Sequence, residues 1–333
     1  MLLSSSSSHA GKLMPLPTLR DLHLARKRTA GRLRRTPLVR SATLSDVNSG
    51  PVYLKLESLQ ETGAFKLRGA TNRLLTLTPE ERARGVVTVS TGNHGRAVAF
   101  AAQQLGVKAT VCLSRLVPEN KKAAIRALGA ELRVVGQSQD EASVEAERLV
   151  DEQGLIYVPP FDDFDIIAGQ GTLGLEIVED CPEVEEVLVP LSGGGLIAGV
   201  ALAVKGSLPG VRVVGISMDR GPAMYHSLQA GKPVEVPEEE SLADSLGGGI
   251  GLDNRFTFPL VRELVDEVIL LSEAEIAAGM RHLFREERLV AEGGAAVGVA
   301  ALLSGEAGGR GRTTVAVISG CNVDMNAFLS VVS

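Results

Sequence analysis

Short apolar runs alternate with longer amphipathic segments along most of this 333-residue chain. In the first half the apolar runs are VYLKLE, VVTVS, ATVCLS and LRVVG, and the last three precede HGRAVAFAAQQLG, NKKAAIRALGA and EASVEAERLVDEQG. In the second half the pattern continues with EVLVPL, VRVVGIS, DEVILLS and TTVAVIS. Strand-length runs that alternate with helix-length runs are typical of βαβ units. The pattern therefore predicts an α/β fold of two domains, each with a mainly parallel sheet, and a cleft between them.

The same pattern predicts how the chain is divided. Residues 1–15 contain a serine run and few apolar residues, so we expect a disordered tail there. Residues 16–84 and 163–333 are assigned to a large domain, and residues 85–162 to a small one. The basic, amphipathic stretch from Leu19 to Arg35 predicts a helix that ends before Pro37, because the residue before a proline disfavours helical backbone.

Composition and charge narrow the classes of function. Hydrophobic residues make up 44% of the chain, and the net charge of -6 is spread along it. The sequence has neither the basic stripe that nucleic acid requires nor an apolar run that could cross a membrane, so neither partner is expected. The three cysteines form no CxxC pair, which argues against a structural zinc site or a disulfide framework. We expect a cytoplasmic protein.

A glycine-rich loop follows the apolar run EVLVPL and precedes the helical segment LIAGVALAVK. Backbone N–H groups in such a loop can converge on an anion, and the positive end of the following helix adds to the attraction. The loop has neither the GxxxxGKS pattern of a nucleotide-triphosphate site nor the GxGxxG spacing of a dinucleotide site. It predicts a site for a smaller phosphate ester, with a plain flexible turn as the alternative; its residues are Ser192, Gly193, Gly194 and Gly195.

The stretch ETGAFKLRGA places Lys66 between an aromatic and an apolar residue, with a glycine on either side of the group. An apolar setting disfavours the ammonium form of a lysine and makes its neutral amine available to condense with a carbonyl. Together with a phosphate-binding loop, this indicates the aldehyde of pyridoxal 5'-phosphate as the carbonyl partner. Lys66 is therefore predicted to be a reactive amine.

Five motifs in order give the chain its resemblance to a known family. TGAFKLRGA, STGNHG (residues 90–95), AGQGT (168–172), SGGGLIAG (192–199) and SGCNVD (319–324) resemble those of the fold-type II pyridoxal-phosphate enzymes. This is the tryptophan synthase β family, which includes threonine dehydratase and serine racemase. The resemblance covers nearly everything from about residue 20 onwards. It implies pyridoxal phosphate held mainly by the large domain, and a homodimer.

The resemblance also implies a role for each matching residue. Lys66 forms the Schiff base with the cofactor and then removes the α-proton of the substrate, and Phe65 packs near the cofactor. Asn93 binds the phenolic oxygen of the cofactor ring, and the loop from Ser192 to Leu196 binds its phosphate. The turn that binds the substrate carboxylate comprises Ser90, Thr91, Gly92, Asn93 and His94.

Ser319 and Thr91 bear on the type of reaction. The family places the Ser319 hydroxyl against the pyridine nitrogen of the cofactor, and a neutral hydroxyl cannot keep that nitrogen protonated as a carboxylate would. The weaker electron sink that results favours elimination of a β-substituent over transamination. Thr91 matches the serine that protonates the opposite face of the substrate in serine racemases, so racemisation is an alternative.

Smaller features select among the reactions of the family. STGNHG is similar to the turn of hydroxyamino acid dehydratases rather than to that of the cysteine synthases. Ordinary threonine dehydratases have bulkier residues where this chain has Gly247, Gly248 and Gly249, so we expect room for a larger substrate side chain, with a plain turn as the alternative. The segment SLADSLGGGIGLDN is similar to the hydroxyectoine-utilisation dehydratases. Ser217 replaces the glutamate that helps many relatives bind a cation, so no metal is expected.

The sequence therefore predicts a pyridoxal-phosphate-dependent dehydratase that eliminates water from a β-hydroxy-α-amino acid in hydroxyectoine breakdown. L-Threonine or L-serine dehydratase and serine racemase are the alternatives within enzymes. A non-catalytic metabolite-binding protein is the alternative outside them. Glu292, in LVAEGGAAVG, is interpreted either as a neighbour of the cofactor ring or as the start of a helix.

Overall fold

The computed structural model describes residues 15–90, 92–117, 119–308 and 311–333. The predicted tail, apart from Pro15, lies outside these residues. Two sheets form the framework, one of six strands in the order β1-β2-β10-β7-β8-β9 and one of four in the order β5-β4-β3-β6. The strands are β1 (Leu38–Ser41), β2 (Val52–Leu56), β3 (Val86–Val89), β4 (Ala109–Leu113), β5 (Glu131–Val134), β6 (Ile156–Tyr157), β7 (Glu186–Pro190), β8 (Arg212–Met218), β9 (Glu267–Leu271) and β10 (Thr314–Ile318).

Helices connect the strands and cover the sheets, as an α/β fold requires. They are α1 (Leu19–Thr29), α2 (Ala42–Asn48), α3 (Lys66–Thr76), α4 (Pro79–Arg84), α5 (Asn93–Leu105), α6 (Glu119–Ala127), α7 (Gln139–Gln153), α8 (Phe164–Asp180), α9 (Gly195–Ser207), α10 (Ala223–Ala230), α11 (Thr257–Leu264), α12 (Glu273–Arg285), α13 (Gly293–Ser304) and α14 (Met325–Val332). Except for the antiparallel pair β1–β2, the strand pairs are parallel. The predicted α/β class with mainly parallel sheets is confirmed.

The N-terminal helix is shorter than predicted. α1 ends at Thr29 rather than at Arg35. Gly31 has a φ of +74°, in the left-handed region that glycine adopts without steric cost, and Arg32 N–H donates to the Thr29 carbonyl in a tight turn. The glycine therefore ends the helix before the proline can, and the prediction was wrong by about two turns.

The order of strands brings several strand ends to one edge of the large sheet. β10 pairs with both β2 and β7, so the residues that follow β10 and β7 emerge next to each other. In a parallel sheet the carboxyl ends of neighbouring strands share an edge, where ligands commonly bind. Ser319 follows β10, and the glycine loop follows β7.

Helix α3 links the two sheets. Its apolar residues Leu67, Ala70 and Leu74 belong to the core around β3, β4 and α5 in the small sheet. On the same helix, Arg68 is buried and bonds to Glu57 and Glu176, which lie beside the large sheet and on α8. The helix that begins at Lys66 is thus packed against both sheets. The domain boundaries at residues 84/85 and 162/163 stay a prediction.

Within the described residues, no helix combines the length and the apolar composition needed to cross a bilayer.

Candidate active site

A cavity of about 720 Å³ lies where the glycine loop, the start of α3 and the start of α5 meet. Every site residue that the sequence predicted lines it, except Thr91, which lies outside the described residues. These residues are Phe65, Lys66, Ser90, Gly92, Asn93, His94, Ser192, Gly193, Gly194, Gly195, Leu196, Gly247, Gly248 and Ser319. Segments far apart in the chain thus contribute to one cavity.

The glycine loop forms the start of the 13-residue helix α9. No hydrogen bond from the backbone N–H groups of Gly193, Gly194 and Gly195 is found among the described residues, and these glycines are buried. A Cβ on Gly193 would lie 2.4 Å from a ring carbon of Phe161, and Gly194 has a φ of +88°. Only glycines fit this loop, and its N–H groups at a helix N-terminus form a cradle for an anion.

Lys66 begins α3 and is half-buried, with its Nζ 2.7 Å from the carbonyl oxygen of Pro160. Burial lowers the pKa of Lys66 to about 8, although the nearby Glu292 carboxylate opposes the decrease. The Nζ is 5.3 Å from the centre of the Phe65 ring. The lysine therefore has the neutral amine available near neutral pH that the sequence predicted.

Lys66 and Ser319 are brought together by backbone pairing. Phe65 N–H donates to the Ser319 carbonyl at 3.0 Å, and Ala64 forms an antiparallel bridge with Gly320. The start of α3 is thereby fixed against the end of β10. Ser319 itself is buried and lines the cavity.

The STGNHG turn begins α5, which starts at Asn93. His94 is buried, with its Nε2 3.0 Å from the carbonyl oxygen of Val158, and its Nδ1 has no hydrogen-bond partner. Burial lowers the pKa of His94 to about 3, and the Lys66 charge adds to the decrease. His94 is therefore neutral at physiological pH, with Nε2 as the donor and Nδ1 free to accept.

Glu292 proves to be part of the site. Its carboxyl group is buried, lines the cavity and accepts a hydrogen bond from Asn93 Nδ2 at 2.8 Å. Burial raises its pKa to about 7, and the nearby Asp244 adds to the increase. The interpretation as the start of a helix is confirmed, because Glu292 is the residue before α13, and its place beside the cofactor ring stays a prediction.

Two residues that the sequence reading did not select also belong here. Asn322 contacts Asn93 through side-chain amides at 2.6 Å, and Arg96 donates to the Asn322 amide oxygen. Asn322 lies within the SGCNVD motif, which was a signal that could have revealed it. Arg96 lies one turn into α5, and nothing in the local sequence distinguishes it from a solvated arginine.

The segment from Gly247 to Gly249 borders the cavity on a side that also carries carboxylates. A Cβ on Gly248 or Gly249 would have no neighbour within 4 Å. Three acidic residues line this side, namely Glu235, Glu238 and Asp244. Among the described residues no group of three or more His, Cys, Asp and Glu side chains is arranged to hold a metal ion.

Residues 30–320 match the family described as pyridoxal-phosphate dependent enzyme, and the chain belongs to this family. A protein of Sinorhizobium fredii named "Putative threonine dehydratase" is 55% identical over 95% of each chain. The L-threonine ammonia-lyase of Thermotoga maritima is 44% identical over 93% of this chain and 76% of that protein. The structure of maize serine racemase superposes with a TM-score of 0.90 at 32% identity, over 95% of this chain and 97% of that one.

The chain is therefore a pyridoxal-phosphate-dependent lyase of the hydroxyamino acid dehydratase type, with the fold of the type II enzymes. Its residues fit the cofactor. The buried N–H groups at the start of α9 lack acceptors and suit a phosphate, and Lys66 supplies an amine of lowered pKa on the wall of the same cavity. One ligand that carries a phosphate and an aldehyde matches both features.

Proposed function

We propose that this enzyme eliminates water from a β-hydroxy-α-amino acid with an extended, cationic side chain, of the kind released when hydroxyectoine is opened. The products are a 2-oxo acid and ammonia. The proposal rests on one observation, the open space beside Gly248 and Gly249 on a cavity wall that also bears Glu235, Glu238 and Asp244.

Lys66 binds the cofactor aldehyde and later serves as the base that takes the α-proton. Bound pyridoxal phosphate supplies the electron sink that acidifies the α-C–H bond. Because the pKa of Lys66 is lowered to about 8, a useful fraction of its Nζ is unprotonated near neutral pH. The contact with the Pro160 carbonyl holds this Nζ on the cavity wall.

The remaining roles follow from where the donors lie. In this proposal the N–H groups of Gly193 to Leu196 and the Ser192 hydroxyl hold the phosphate, and Phe65 packs near the cofactor. Ser319 faces the ring nitrogen, and Asn93 faces the ring oxygen. Ser90, Gly92 and His94, at the positive end of α5, bind the substrate carboxylate, and the role of Thr91 is taken from the STGNHG motif alone.

Substrate preference is assigned to the segment after α10. In threonine a methyl group would leave the space beside Gly248 and Gly249 empty, whereas an amino-bearing side chain would fill it. A cationic group there gains from the exposed carboxylates of Glu235 and Glu238, whereas Asp244 already lies 3.7 Å from the Nζ of Lys121. Such exposed pairs contribute about 0.2–1 kcal/mol each, so the two together favour a cation by about twofold to thirtyfold.

L-Threonine or L-serine dehydratase is the second candidate. The names of the similar proteins from Sinorhizobium fredii and Thermotoga maritima favour it. The likeness to maize serine racemase keeps racemisation as a side reaction to be measured.

Release of 2-oxo acid from a panel of amino acids tests the proposal. We expect kcat/KM for 3-hydroxy-2,4-diaminobutyrate to exceed that for L-threonine, for L-serine and for its own derivative with a neutral acetylated side-chain amine. Glu238→Gln is expected to reduce the preference for the cationic compound without changing turnover of L-serine. Dominant activity on L-threonine, or full activity in Lys66→Ala, contradicts the proposal.

A homodimer in the cytoplasm completes the proposal, supported by the resemblance to dimeric relatives. The described cysteines Cys112, Cys181 and Cys321 are free, which is compatible with a reducing compartment. Light scattering of the purified holoenzyme measures the assembly, and a monomer mass contradicts this part.

A further inference from the structure

A chain of hydrogen bonds runs along the cavity wall from α5 to the start of α13. Arg96 Nη1 donates to Asn322 Oδ1, Asn322 Nδ2 donates to Asn93 Oδ1 at 2.6 Å, and Asn93 Nδ2 donates to Glu292 Oε1 at 2.8 Å. The backbone N–H of Asn322 closes the arrangement on Glu292 Oε2 at 3.2 Å. Every bond in the chain points the same way, from the guanidinium to the carboxyl group.

The two ends determine the orientation of the amides between them. A guanidinium can only donate and an ionised carboxylate can only accept, so the oxygen of each amide must face the Arg96 side and its nitrogen the Glu292 side. Asn322 is fixed further because the second hydrogen of its Nδ2 goes to the Thr62 carbonyl at 2.8 Å. Asn93 therefore has one amide orientation, and one hydrogen on its Nδ2 has no acceptor among the described residues.

The position of Asn93 makes this hydrogen useful. Asn93 and Glu292 both line the cavity, together with Lys66 and Ser319. The amide oxygen of Asn93 is already bonded to Asn322, so the group that Asn93 offers to a ligand is an N–H donor. An acceptor, such as the ring oxygen of the cofactor, matches it.

We propose that Glu292, Asn322 and Arg96 are positioning residues that hold Asn93 as an N–H donor toward the ring oxygen of bound pyridoxal phosphate. This inference rests on the role given to Asn93 in the proposed function. It adds that the N–H donor of Asn93 depends on the charge of the Glu292 carboxyl group. Around the Glu292 carboxyl group lie the N–H donors of this chain, the Ser245 hydroxyl and, farther away, the Lys66 charge.

The arrangement makes the donor sensitive to pH. When Glu292 is protonated, one of its oxygens becomes a donor and competes with an N–H of Asn93 or Asn322. Other ionisable groups around it are Lys66 on α3, Arg96 on α5, Asp244 before Gly247, and Cys321 beside Asn322. Since burial raises the pKa of Glu292 to about 7, the full chain of bonds forms above this pH and weakens below it.

Cofactor affinity at two pH values tests the proposal. Glu292→Gln keeps the shape, but at least one of its polar atoms is a nitrogen facing an N–H. We expect its dissociation constant for pyridoxal phosphate to increase about tenfold at pH 8, the effect of one hydrogen bond to a charged group, and less at pH 6. Glu287→Gln is the matched control, because Glu287 accepts hydroxyl bonds from Ser41 and Thr43 and does not line the cavity.

Two further measurements separate positioning from general stability. The visible absorption of the bound cofactor is titrated in each variant, and we expect Glu292→Gln to remove a transition near pH 7 that Glu287→Gln retains. In an Asn93→Ala background, Glu292→Gln is expected to cause no further loss of affinity. Arg96→Met tests the other end of the chain and is expected to weaken binding at both pH values.

The outcomes distinguish this inference from the proposed function. If the wild-type protein shows no cofactor absorption that depends on Lys66, the proposed function fails. If that absorption is present but Glu292→Gln binds pyridoxal phosphate with unchanged affinity, or with a loss that is equal at pH 6 and pH 8, only the positioning role fails. Additive losses in Asn93→Ala and Glu292→Gln also overturn it.

Discussion

The burial of Lys66 makes its amine more reactive and also lowers the free energy of unfolding of the cofactor-free chain. Its pKa falls from 10.5 to about 8 through burial, so below pH 8 the folded protein holds a buried charge that the unfolded chain would keep in water. Lys66→Met removes this cost, and we expect it to stabilise the cofactor-free protein at pH 7 by up to about 3 kcal/mol, since one pKa unit corresponds to about 1.4 kcal/mol. Urea denaturation measures it.

The sign of the pH dependence follows from the same shift. Between pH 8 and pH 10.5 the folded lysine has lost its proton and the unfolded one has not, so the stability of the wild-type chain rises with pH there. The advantage of Lys66→Met should therefore be largest below pH 8 and diminish towards pH 10.5. An advantage that is constant across this range would mean that it comes from packing rather than from charge.

Gly249 offers a way to reduce the substrate space without disturbing the fold. A Cβ there has no neighbour within 4 Å, and its φ lies outside the left-handed region. We expect Gly249→Val to lower kcat/KM for 3-hydroxy-2,4-diaminobutyrate about tenfold and to leave that for L-serine within a factor of two, since filling cavity space costs about 1–3 kcal/mol for the larger ligand. Steady-state kinetics on both compounds measure the difference.

The control is Gly193→Ala, where a Cβ would lie 2.4 Å from the Phe161 ring. This change is expected to impair cofactor binding and so reduce activity on both substrates alike. Equal losses on both substrates in Gly249→Val would place that glycine outside the region that contacts the substrate side chain.

Single residues could be predicted from the sequence where a short motif carries its own chemistry. Lys66, the glycine loop and Ser319 fall in motifs that can be recognised without knowing which residues lie near them in space. The structure places all three on one cavity. Arg96 could not be found this way, and Asn322, although it lies within the SGCNVD motif, could not be linked to Arg96 and Asn93 by that motif alone. Their hydrogen bonds join α5 to the end of β10, and no local pattern records that these segments meet.

Helix α3 is held in place by a buried cluster of charges. Arg68 donates to Glu57 at 2.7 Å and to Glu176 at 2.7 Å, and Lys55 donates to Glu176 at 2.7 Å. Arg68 and Glu57 are almost fully buried, and although burial opposes ionisation, the Arg68 guanidinium holds the pKa of Glu57 below its usual value. We expect Arg68→Met to destabilise the fold by about 3–5 kcal/mol, because it leaves the buried Glu57 without its guanidinium and Glu176 with Lys55 as its remaining bonded cation.

A surface pair gives the comparison for this prediction. Arg26 bonds to Glu179 with both side chains about two-fifths exposed, so Arg26→Met is expected to cost less than about 1 kcal/mol. Thermal or urea unfolding of both variants measures the difference. Because α3 begins at Lys66, Arg68→Met should also weaken cofactor binding. Normal cofactor binding by this variant would mean that the charge cluster stabilises the fold but does not position Lys66.

At the level of elements, long periodic segments were predictable and short ones were not. The helices of the βαβ units occur where their apolar period placed them. β1 and α2 were not predicted, since β1 (LVRS) is mostly exposed and has no apolar run like that of the equally short β3, and α2 has seven residues, too few to show a helical period. The end of α1 depended on Gly31, a single residue whose conformation outweighed the helical pattern beyond it.

At the scale of the whole molecule, the site draws on both sheets. The glycine loop and Ser319 follow β7 and β10 of the large sheet, and the turn before α5 follows β3 of the small one. The alternation of apolar runs predicted the two sheets, but not that α3 would pack into the core of the small sheet while Arg68 anchors it beside the large one. Such packing depends on contacts distant in the sequence.

A ligand that forms hydrogen bonds with elements of both sheets should couple the local unfolding of the two sheets. Binding only to the folded state stabilises by about 2.7 kcal/mol when the free ligand is 100 times its dissociation constant. We expect pyridoxal phosphate to slow amide hydrogen exchange in peptides from residues 86–105, which include β3 and α5, and in the first turn of α9. Peptides from the interior strands β8 and β10 should change less, because they are already protected in the large core. Slower exchange confined to the glycine loop would mean that the cofactor is held by the large sheet alone, and that Asn93 does not contact it.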